Sequence, residues 1–228
     1  ADDGSEVVLD WADYPGDGVE DPEDVLAAPR AEDAEAVAEQ EMDALAASTV
    51  DVAPELTWVL EPNANGVELF PSGGNGYGGD SLHQLLNSGT NAGTGLREDR
   101  DWDLLASEID AGLAELGYGP VEWDFERQPF PGETQAQRDA DVEAMSGSLE
   151  PDEMWIWTGT ATRGSMWASV TIWDERRDTA PTESWGMGES GVSFFLGGIV
   201  ISEDDEQAYV DGVAPFEGLS RPEASHSD

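Results

Sequence analysis

Apolar and polar residues alternate most regularly between residues 154 and 201, where short apolar runs are separated by glycine-bearing turns. Small and aliphatic side chains take every second position in the middle of this stretch: Met166, Ala168, Val170 and Ile172. Two tryptophans and two hydroxyl residues stand between them: Trp167, Ser169, Thr171 and Trp173. Successive residues of a strand point to opposite faces, so this pattern predicts a strand with one packed and one half-exposed face. The flanking stretches 154–158 and 192–201 predict the other two strands of an antiparallel meander.

Two earlier segments carry apolar residues at helical spacing. The first runs from about residue 30 to about residue 49, and its stripe consists of Ala34, Ala38, Met42 and Leu45. The second has a longer stripe, which consists of Trp102, Leu105, Ile109, Leu113 and Leu116. Asp99 or Asp101 can cap the start of this second helix, and Gly117 marks its end.

Other stretches predict shorter elements. Residues 121–125 alternate apolar and acidic side chains, which predicts a strand with one buried face, and residues 56–60 predict another strand. We expect residues 67–70 to continue the sheet, a short helical turn at residues 81–86, and a helix around residues 134–145.

The order of these elements favours an α+β fold. We expect a two-layer sandwich, in which an antiparallel sheet of about five strands carries two helices on one face. Proline, glycine and acidic residues dominate both ends of the chain. We therefore predict an acidic flexible arm at residues 1–28, a single α+β domain at residues 29–202 and an acidic tail at residues 203–228.

Charge narrows the range of partners. The 228 residues include 51 Asp+Glu but only 9 Lys+Arg, all of them arginine, for a formal net charge of −42. Such a surface repels nucleic acids and anionic lipid headgroups, so we expect neither as a partner. The acids either keep the protein soluble or form a docking surface for a basic protein. The absence of cysteine excludes disulfides and thiolate metal sites, and no apolar run approaches the ~20 residues of a membrane helix.

Several landmarks follow one another along the chain. Leu56-Thr57-Trp58 opens a strand, a glycine-rich loop follows, and Asp101-Trp102 opens a helix that ends at Leu116-Gly117-Tyr118. In this order the chain resembles, over about residues 31–201, the actinobacterial LppA-like lipoproteins. The resemblance implies an exported cell-envelope protein, lipid-anchored through a cysteine that this sequence lacks, with no established activity and no catalytic residues. Because the chain opens on Ala1 without an initiator Met, we expect that an export signal has been removed.

Motifs for catalysis, cofactors and metals are weak. Residues 74–79 have the glycine spacing of a dinucleotide loop, but no parallel strand follows them and a charge of −42 opposes a pyrophosphate. Asp99, Asp101 and Asp103 have the spacing that opens a calcium loop, but Leu104 stands where that loop needs glycine. No G-x-S-x-G elbow accompanies the two histidines. We therefore expect no catalytic, cofactor-binding or metal-binding residues.

Aromatic residues in two glycine-rich loops, residues 73–80 and 184–191, are the best candidates for ligand contact, together with a nearby pair of arginines. Glycine lets a loop adapt, an aromatic ring supplies contact area, and a guanidinium can bind a carboxylate. We predict that these residues form one ligand rim at the same end of the sheet: Tyr77, Trp185, Met187, Arg176 and Arg177. The alternative is that both loops are merely long connections and that Trp185 folds back onto the sheet.

These observations predict a non-enzymatic protein, extracellular or in the cell envelope, that binds a protein or glycan partner. Two alternatives stay open. One is an acidic inhibitor or mimic that docks on a basic protein, and the other is a hydrolase that uses paired carboxylates. The hydrolase would need a cleft that holds two buried acids with raised pKa values.

Overall fold

Seven strands form one antiparallel sheet in the computed structural model, which describes residues 8–61, 67–71, 73–178 and 188–223. In chain order the strands are β1 (Thr57–Glu61), β2 (Glu68–Pro71), β3 (Gln84–Thr94), β4 (Glu122–Trp123), β5 (Ile156–Arg163), β6 (Met166–Asp174) and β7 (Ser190–Val200). Their spatial order is β1-β3-β7-β6-β5-β4, and β2 pairs with the half of β3 that β1 leaves open. The fold is α+β as predicted, but the sheet has seven strands where the sequence predicted about five.

Five α-helices accompany the sheet in the described ranges. They are α1 (Pro22–Ala27), α2 (Ala34–Ser48), α3 (Trp102–Glu115), α4 (Gln135–Ser146) and α5 (Glu206–Val213). Short 3-10 turns occur at Trp11–Asp13, Asp124–Glu126, Pro151–Glu153, Glu175–Arg177 and Ala214–Phe216. The longest of these helices has 15 residues, and none of the described helices is both long and apolar enough to span a bilayer.

The predicted meander is confirmed, because β5, β6 and β7 are neighbours both in sequence and in the sheet. Gly164 makes the tight turn between β5 and β6 with a φ of 55°, a conformation that favours glycine. The strand β5 extends to Arg163, beyond the predicted end at residue 158. Residues 160–163, which lie beyond the predicted strand, pair with β6 as well.

One face of the sheet, here called the packed face, carries the apolar set that alternation predicted. Val170 of β6 and its partner Phe194 of β7 are both fully buried in the main core. Helix α2 contacts this core, and the Asn91 amide of β3 donates to the Met42 carbonyl at 3.3 Å. The buried helix residues include most of the two predicted stripes: Ala34, Ala38, Met42 and Leu45 of α2, and Trp102, Leu105, Ile109 and Leu113 of α3. Asp101 caps α3, because its carboxylate accepts from the Leu104 N–H at 3.0 Å.

The sequence predicted a helical turn at residues 81–86 and no strand after it. The structure instead has the strand β3 at Gln84–Thr94. The sequence from Gln84 to Thr94 is rich in glycine and asparagine, which are weak strand formers. It forms a strand because β1 and β2 pair with one side of it and β7 with the other. Small residues are required there, because the Trp58 indole lies directly against Gly93.

The stretch 121–125 is also shorter as a strand than predicted. Only Glu122 and Trp123 pair with β5, and the chain then bends into the 3-10 turn at Asp124–Glu126. This bend lets the Phe125 ring contact Trp157 at a centroid distance of 5.0 Å. The predicted helix around residues 134–145 is confirmed as α4, which opens with a capping box between Thr134 and Gln137.

The two ends of the chain depart from the flexible arm and acidic tail that composition suggested. Within the described ranges 8–28 and 203–223, α1 and α5 form helices. Their side chains pack together in a second hydrophobic core, whose buried residues are Tyr14, Val25, Ile201, Tyr209, Val213 and Phe216. The acidic residues of these segments are exposed or partly exposed, and a few apolar residues between them are buried. The high proportion of acids therefore suggested disorder although the apolar residues form a core.

The glycine-rich loop of residues 73–80, which the sequence analysis expected to be adaptable, is organised around a buried asparagine. Asn75 has no exposed surface, and its side-chain amide donates to the Tyr14 carbonyl at 2.8 Å and to the Trp11 carbonyl at 3.0 Å. Its side-chain oxygen accepts from the backbone N–H groups of Tyr77 and Gly79. The asparagine therefore binds the loop to the N-terminal segment.

Candidate ligand-binding face

The face of the sheet opposite the packed face carries rows of hydroxyl residues across neighbouring strands. Thr158 of β5 pairs with Thr171 of β6, which pairs with Ser193 of β7. The next row runs across four strands: Thr160 of β5, Ser169 of β6, Phe195 of β7 and Thr90 of β3. Directly opposed residues share a face and lie about 5 Å apart, so these side chains form a continuous array.

Solvent reaches the middle of this array. Val59 of β1 is 53% exposed and Thr162 is also exposed, whereas the central residues are half-buried. We define the open face by its solvent-accessible residues: Val59, Thr90, Thr158, Thr160, Thr162, Trp167, Ser169, Thr171 and Phe195. It is the half-exposed face that alternation predicted for β6, extended over the neighbouring strands.

Both ends of this face are covered. At one end Trp173 is only 1% exposed, and its indole N–H donates to the Gly188 carbonyl at 3.0 Å. At the other end Ile199 packs against the second hydrophobic core. The accessible residues therefore form a band across the strands, between two covered ends.

Trp167 is the largest side chain of the open face. Its indole lies against the backbone of Gly197, where a Cβ atom would come within 2.3 Å of the ring atom Cε2. Glycine at this position allows the ring to lie close against the strand. The result is a half-exposed aromatic surface beside the hydroxyl rows.

The open face differs from the rest of the molecule in charge. The four strands β3, β5, β6 and β7 hold two charged residues, Arg163 and Asp174. Both stand at strand ends on the packed face, where Arg163 pairs with Glu41 at 2.8 Å and Asp174 with Arg176 at 2.7 Å. Carboxylate residues border the open face at both edges of the sheet: Asp124 accepts a hydrogen bond from the Thr158 hydroxyl, Glu122 of β4 pairs with Thr160, and Glu61 of β1 pairs with Thr90.

The structure does not bring the predicted rim together. Arg176 and Arg177 both engage the buried Asp174 carboxylate, at 2.7 and 3.6 Å, and the Arg177 guanidinium lies 4.4 Å above the Trp102 ring. An incoming carboxylate would have to displace Asp174, so these arginines are structural.

Tyr77 lies far from this arginine pair. Its ring packs 5.2 Å from Trp11 in the second hydrophobic core, at the Val200 end of β7. The arginines stand at the Ser190 end, and the 11 residues of β7 span roughly 33 Å. Trp185 and Met187 lie outside the described residues.

Two carboxylates are buried in the described part of the chain, and both are bound by arginine. Glu41 of α2 accepts from the Tyr118 hydroxyl and from Arg163, each at 2.8 Å, and Asp174 is held by Arg176. Burial, reinforced by the Glu41 charge, raises the pKa of Tyr118, so this phenol stays protonated. The two acids stand at separate places rather than as a pair across a cleft. Among the described residues no group of acids or histidines has the arrangement of a metal site.

Sequence reasoning found part of the open face and missed the rest. Alternation placed Trp167, Ser169 and Thr171 correctly on a half-exposed face, but it placed Trp173 there too, and that residue is buried. Thr160 and Thr162 of β5 continue the same alternation, but the predicted strand ended at residue 158. Thr90 was missed because β3 was not recognised as a strand.

Comparison of the chain with family models, with curated proteins and with solved structures produced no match in any of the three. The resemblance to LppA-like lipoproteins therefore stays a prediction from the landmarks of the sequence.

Proposed function

We propose that the open face binds an uncharged, polyhydroxylated ligand, and that the protein is a non-enzymatic glycan-binding module. The observation that carries this proposal is the array of hydroxyl residues on the central strands β3, β5, β6 and β7, which place no charged residue on this face of a chain with a net charge of −42. Each threonine or serine hydroxyl can donate one hydrogen bond and accept two, which matches the mixed donor and acceptor character of sugar hydroxyls.

Charge favours a neutral ligand over a charged one. The field of −42 repels anionic polymers, and cations would accumulate on the acidic surfaces rather than in the middle of the open face, where the central strands carry no carboxylate. A neutral glycan is neither repelled by this field nor drawn to the acidic surfaces.

Composition favours a glycan over a protein at this face. Protein interfaces draw most of their affinity from tryptophan, tyrosine and arginine anchors in dry pockets, and serine and threonine are under-represented among such anchors. The open face has the opposite balance, with hydroxyl residues around Trp167 and Phe195. Sugar rings present C–H groups that stack on an aromatic face, so Trp167 would supply contact area while the hydroxyls supply orientation.

The proposal is tested by affinity electrophoresis of the full chain in gels that contain neutral polysaccharides, namely α-glucans, β-glucans and mannans. We expect at least one of them to retard the protein and an anionic polygalacturonate not to. The Trp167→Ala substitution should weaken retardation about tenfold, the loss expected for one stacked ring. Ser169→Asp should weaken it similarly, because a charge would enter the neutral array.

Two matched variants control for general effects. Phe130→Ala removes a ring that is 63% exposed outside the open face, and Ser107→Asp adds a carboxylate to the exposed side of α3. Both should bind like the parent protein. If no neutral polysaccharide binds, or if Trp167→Ala binds as tightly as Phe130→Ala, the proposed function is wrong.

We also propose an extracellular or cell-envelope location, in line with the implied lipoprotein resemblance and with the place where neutral polysaccharides accumulate. Fractionation of the native cells, with an antibody against the chain, tests this. Recovery with the cytosolic fraction would contradict it.

A further inference from the structure

A separate cavity of about 430 Å³ lies where the N-terminal and C-terminal segments meet. It is enclosed by α1, α5 and the 3-10 turns at Trp11–Asp13 and Ala214–Phe216. This volume falls within the range of small-molecule sites, which starts near 300 Å³. Part of its lining belongs to the second hydrophobic core, namely Trp11, Tyr14, Leu26, Val213 and Phe216, and no lining residue belongs to the open face.

Three aromatic rings in mutual contact form the inner wall of the cavity. The Phe216 centroid lies 4.8 Å from that of Trp11 and 5.4 Å from that of Tyr14. Leu26 and Val213 add aliphatic surface. The inner wall is thus aromatic and aliphatic, whereas polar groups line the rest of the cavity.

Carboxylates dominate the charge around this wall. Asp21, Glu23 and Glu217 line the cavity from exposed positions, against the one guanidinium of Arg221. Arg221 is turned toward the protein itself, since it donates to the Glu20 carbonyl at 2.8 Å and to the Tyr14 hydroxyl at 3.2 Å. The opening therefore carries a net negative charge.

We propose that this cavity binds an organic cation with an apolar body, such as an aromatic quaternary ammonium. Aromatic faces attract cations, and the attraction grows when the cation is partly desolvated. The carboxylates at the opening complement the same charge, and the overall field of −42 raises the local concentration of cations. An amphiphilic anion would meet repulsion from the opening and from the whole surface.

The test is isothermal titration calorimetry of the full chain with three ligands of similar shape: benzyltrimethylammonium, benzyl alcohol and benzoate. We expect the ammonium to bind at least about tenfold more tightly than the alcohol, and benzoate to bind most weakly. The double substitution Glu23→Gln with Glu217→Gln should weaken ammonium binding about tenfold. Val210→Trp should abolish it, because Val210 lines the cavity and is 40% exposed, so a larger side chain can fill the space without entering the core.

A second double variant, Glu143→Gln with Glu150→Gln, removes two exposed carboxylates elsewhere and should leave ammonium binding nearly unchanged. Equal losses in both double variants would show that the general field, and not the cavity, attracts the cation. If benzoate bound more tightly than the ammonium, the cavity would bind anions through Arg221, and the proposal would be wrong. Equal binding of benzyl alcohol, or no binding of any of the three ligands, would also overturn the proposal.

Discussion

Three polar side chains from distant parts of the sequence meet beside the second hydrophobic core. The His83 ring is almost fully buried, and its Nε2 lies 3.1 Å from the hydroxyl of the buried Tyr209. Its Nδ1 lies 3.9 Å from the Asp17 carboxylate, which is longer than a direct hydrogen bond. The neighbouring histidine lowers the pKa of Asp17 to about 2, and the backbone N–H groups of Glu20 and Val19 act in the same direction.

This arrangement predicts a contribution to stability that depends on pH. The pKa of Asp17 is about 2 in the folded protein against an ordinary value of 3.8, so the ionised carboxylate stabilises the native state above about pH 4. That stabilisation is lost as the pH falls toward 2. Asp17→Asn should cost about 1 kcal/mol at pH 5, given the long separation from the ring, and less at pH 3. Urea unfolding at the two pH values measures the difference.

Asp13→Asn is the matched control, because Asp13 lies exposed in the same segment. It should change stability little at either pH. A cost of Asp17→Asn that stays constant between pH 5 and pH 3 would show that its charge is not the source of the stabilisation.

At the scale of the element, β3 is a strand that pairing with neighbouring strands stabilises, although its glycine-rich sequence does not favour a strand. Gly93 sits opposite Trp58, whose indole stacks on Phe194 at 5.4 Å with an interplanar angle of 8°. A Cβ atom at position 93 would lie 2.7 Å from the ring atom Cε2 of Trp58. The stack thus requires glycine at this position of the strand.

Gly93→Ala should therefore destabilise the protein by about 1–3 kcal/mol, the usual cost of overpacking a core. Gly73→Ala is the matched control, because a Cβ atom there would meet nothing within 4 Å and the backbone is not left-handed. The control should be neutral or slightly stabilising. The free energy of unfolding in urea measures both variants, and equal effects would mean that Trp58 moves aside at no cost.

At the scale of the whole molecule, the second hydrophobic core joins the two ends of the chain. Helix α5 contributes Tyr209 and Val213, and the turn after it contributes Phe216, while Tyr14 and Val25 come from the first 28 residues. An ion pair also links the two segments, because the Arg30 Nε donates a hydrogen bond to the Glu206 carboxylate at 2.9 Å. The terminal segments are therefore part of the folded structure.

Truncation after Ser202 tests this directly. It removes three buried apolar side chains, each worth about 1.5–3 kcal/mol, from a protein whose total stability is expected near 5–15 kcal/mol. We expect a loss of several kcal/mol and a broad unfolding transition by circular dichroism. The control replaces the exposed pair Gln207 and Asp211 by alanine and should unfold like the parent. A truncated chain with an unchanged midpoint would show that the C-terminal segment is a detachable tail.

The sequence by itself determined the α+β class, the β5–β6–β7 meander and the helices α2, α3 and α4. The strongest local signals are the alternation in β6 and the apolar stripes in α2 and α3. The half-exposed side of β6, with Trp167, Ser169 and Thr171, was predicted from the same alternation.

Tertiary structure alone decided the rest. Strand β3 forms because other strands pair with it on both sides. Pairing between residues far apart in the chain produces no periodic pattern in a glycine-rich sequence, so the strand could not be predicted. The open face exists only through register, since a shift of one residue would turn the hydroxyl rows toward the core. The terminal segments fold because a few apolar residues among many acids meet each other in space, and burial of that minority outweighs the polar character of its neighbours.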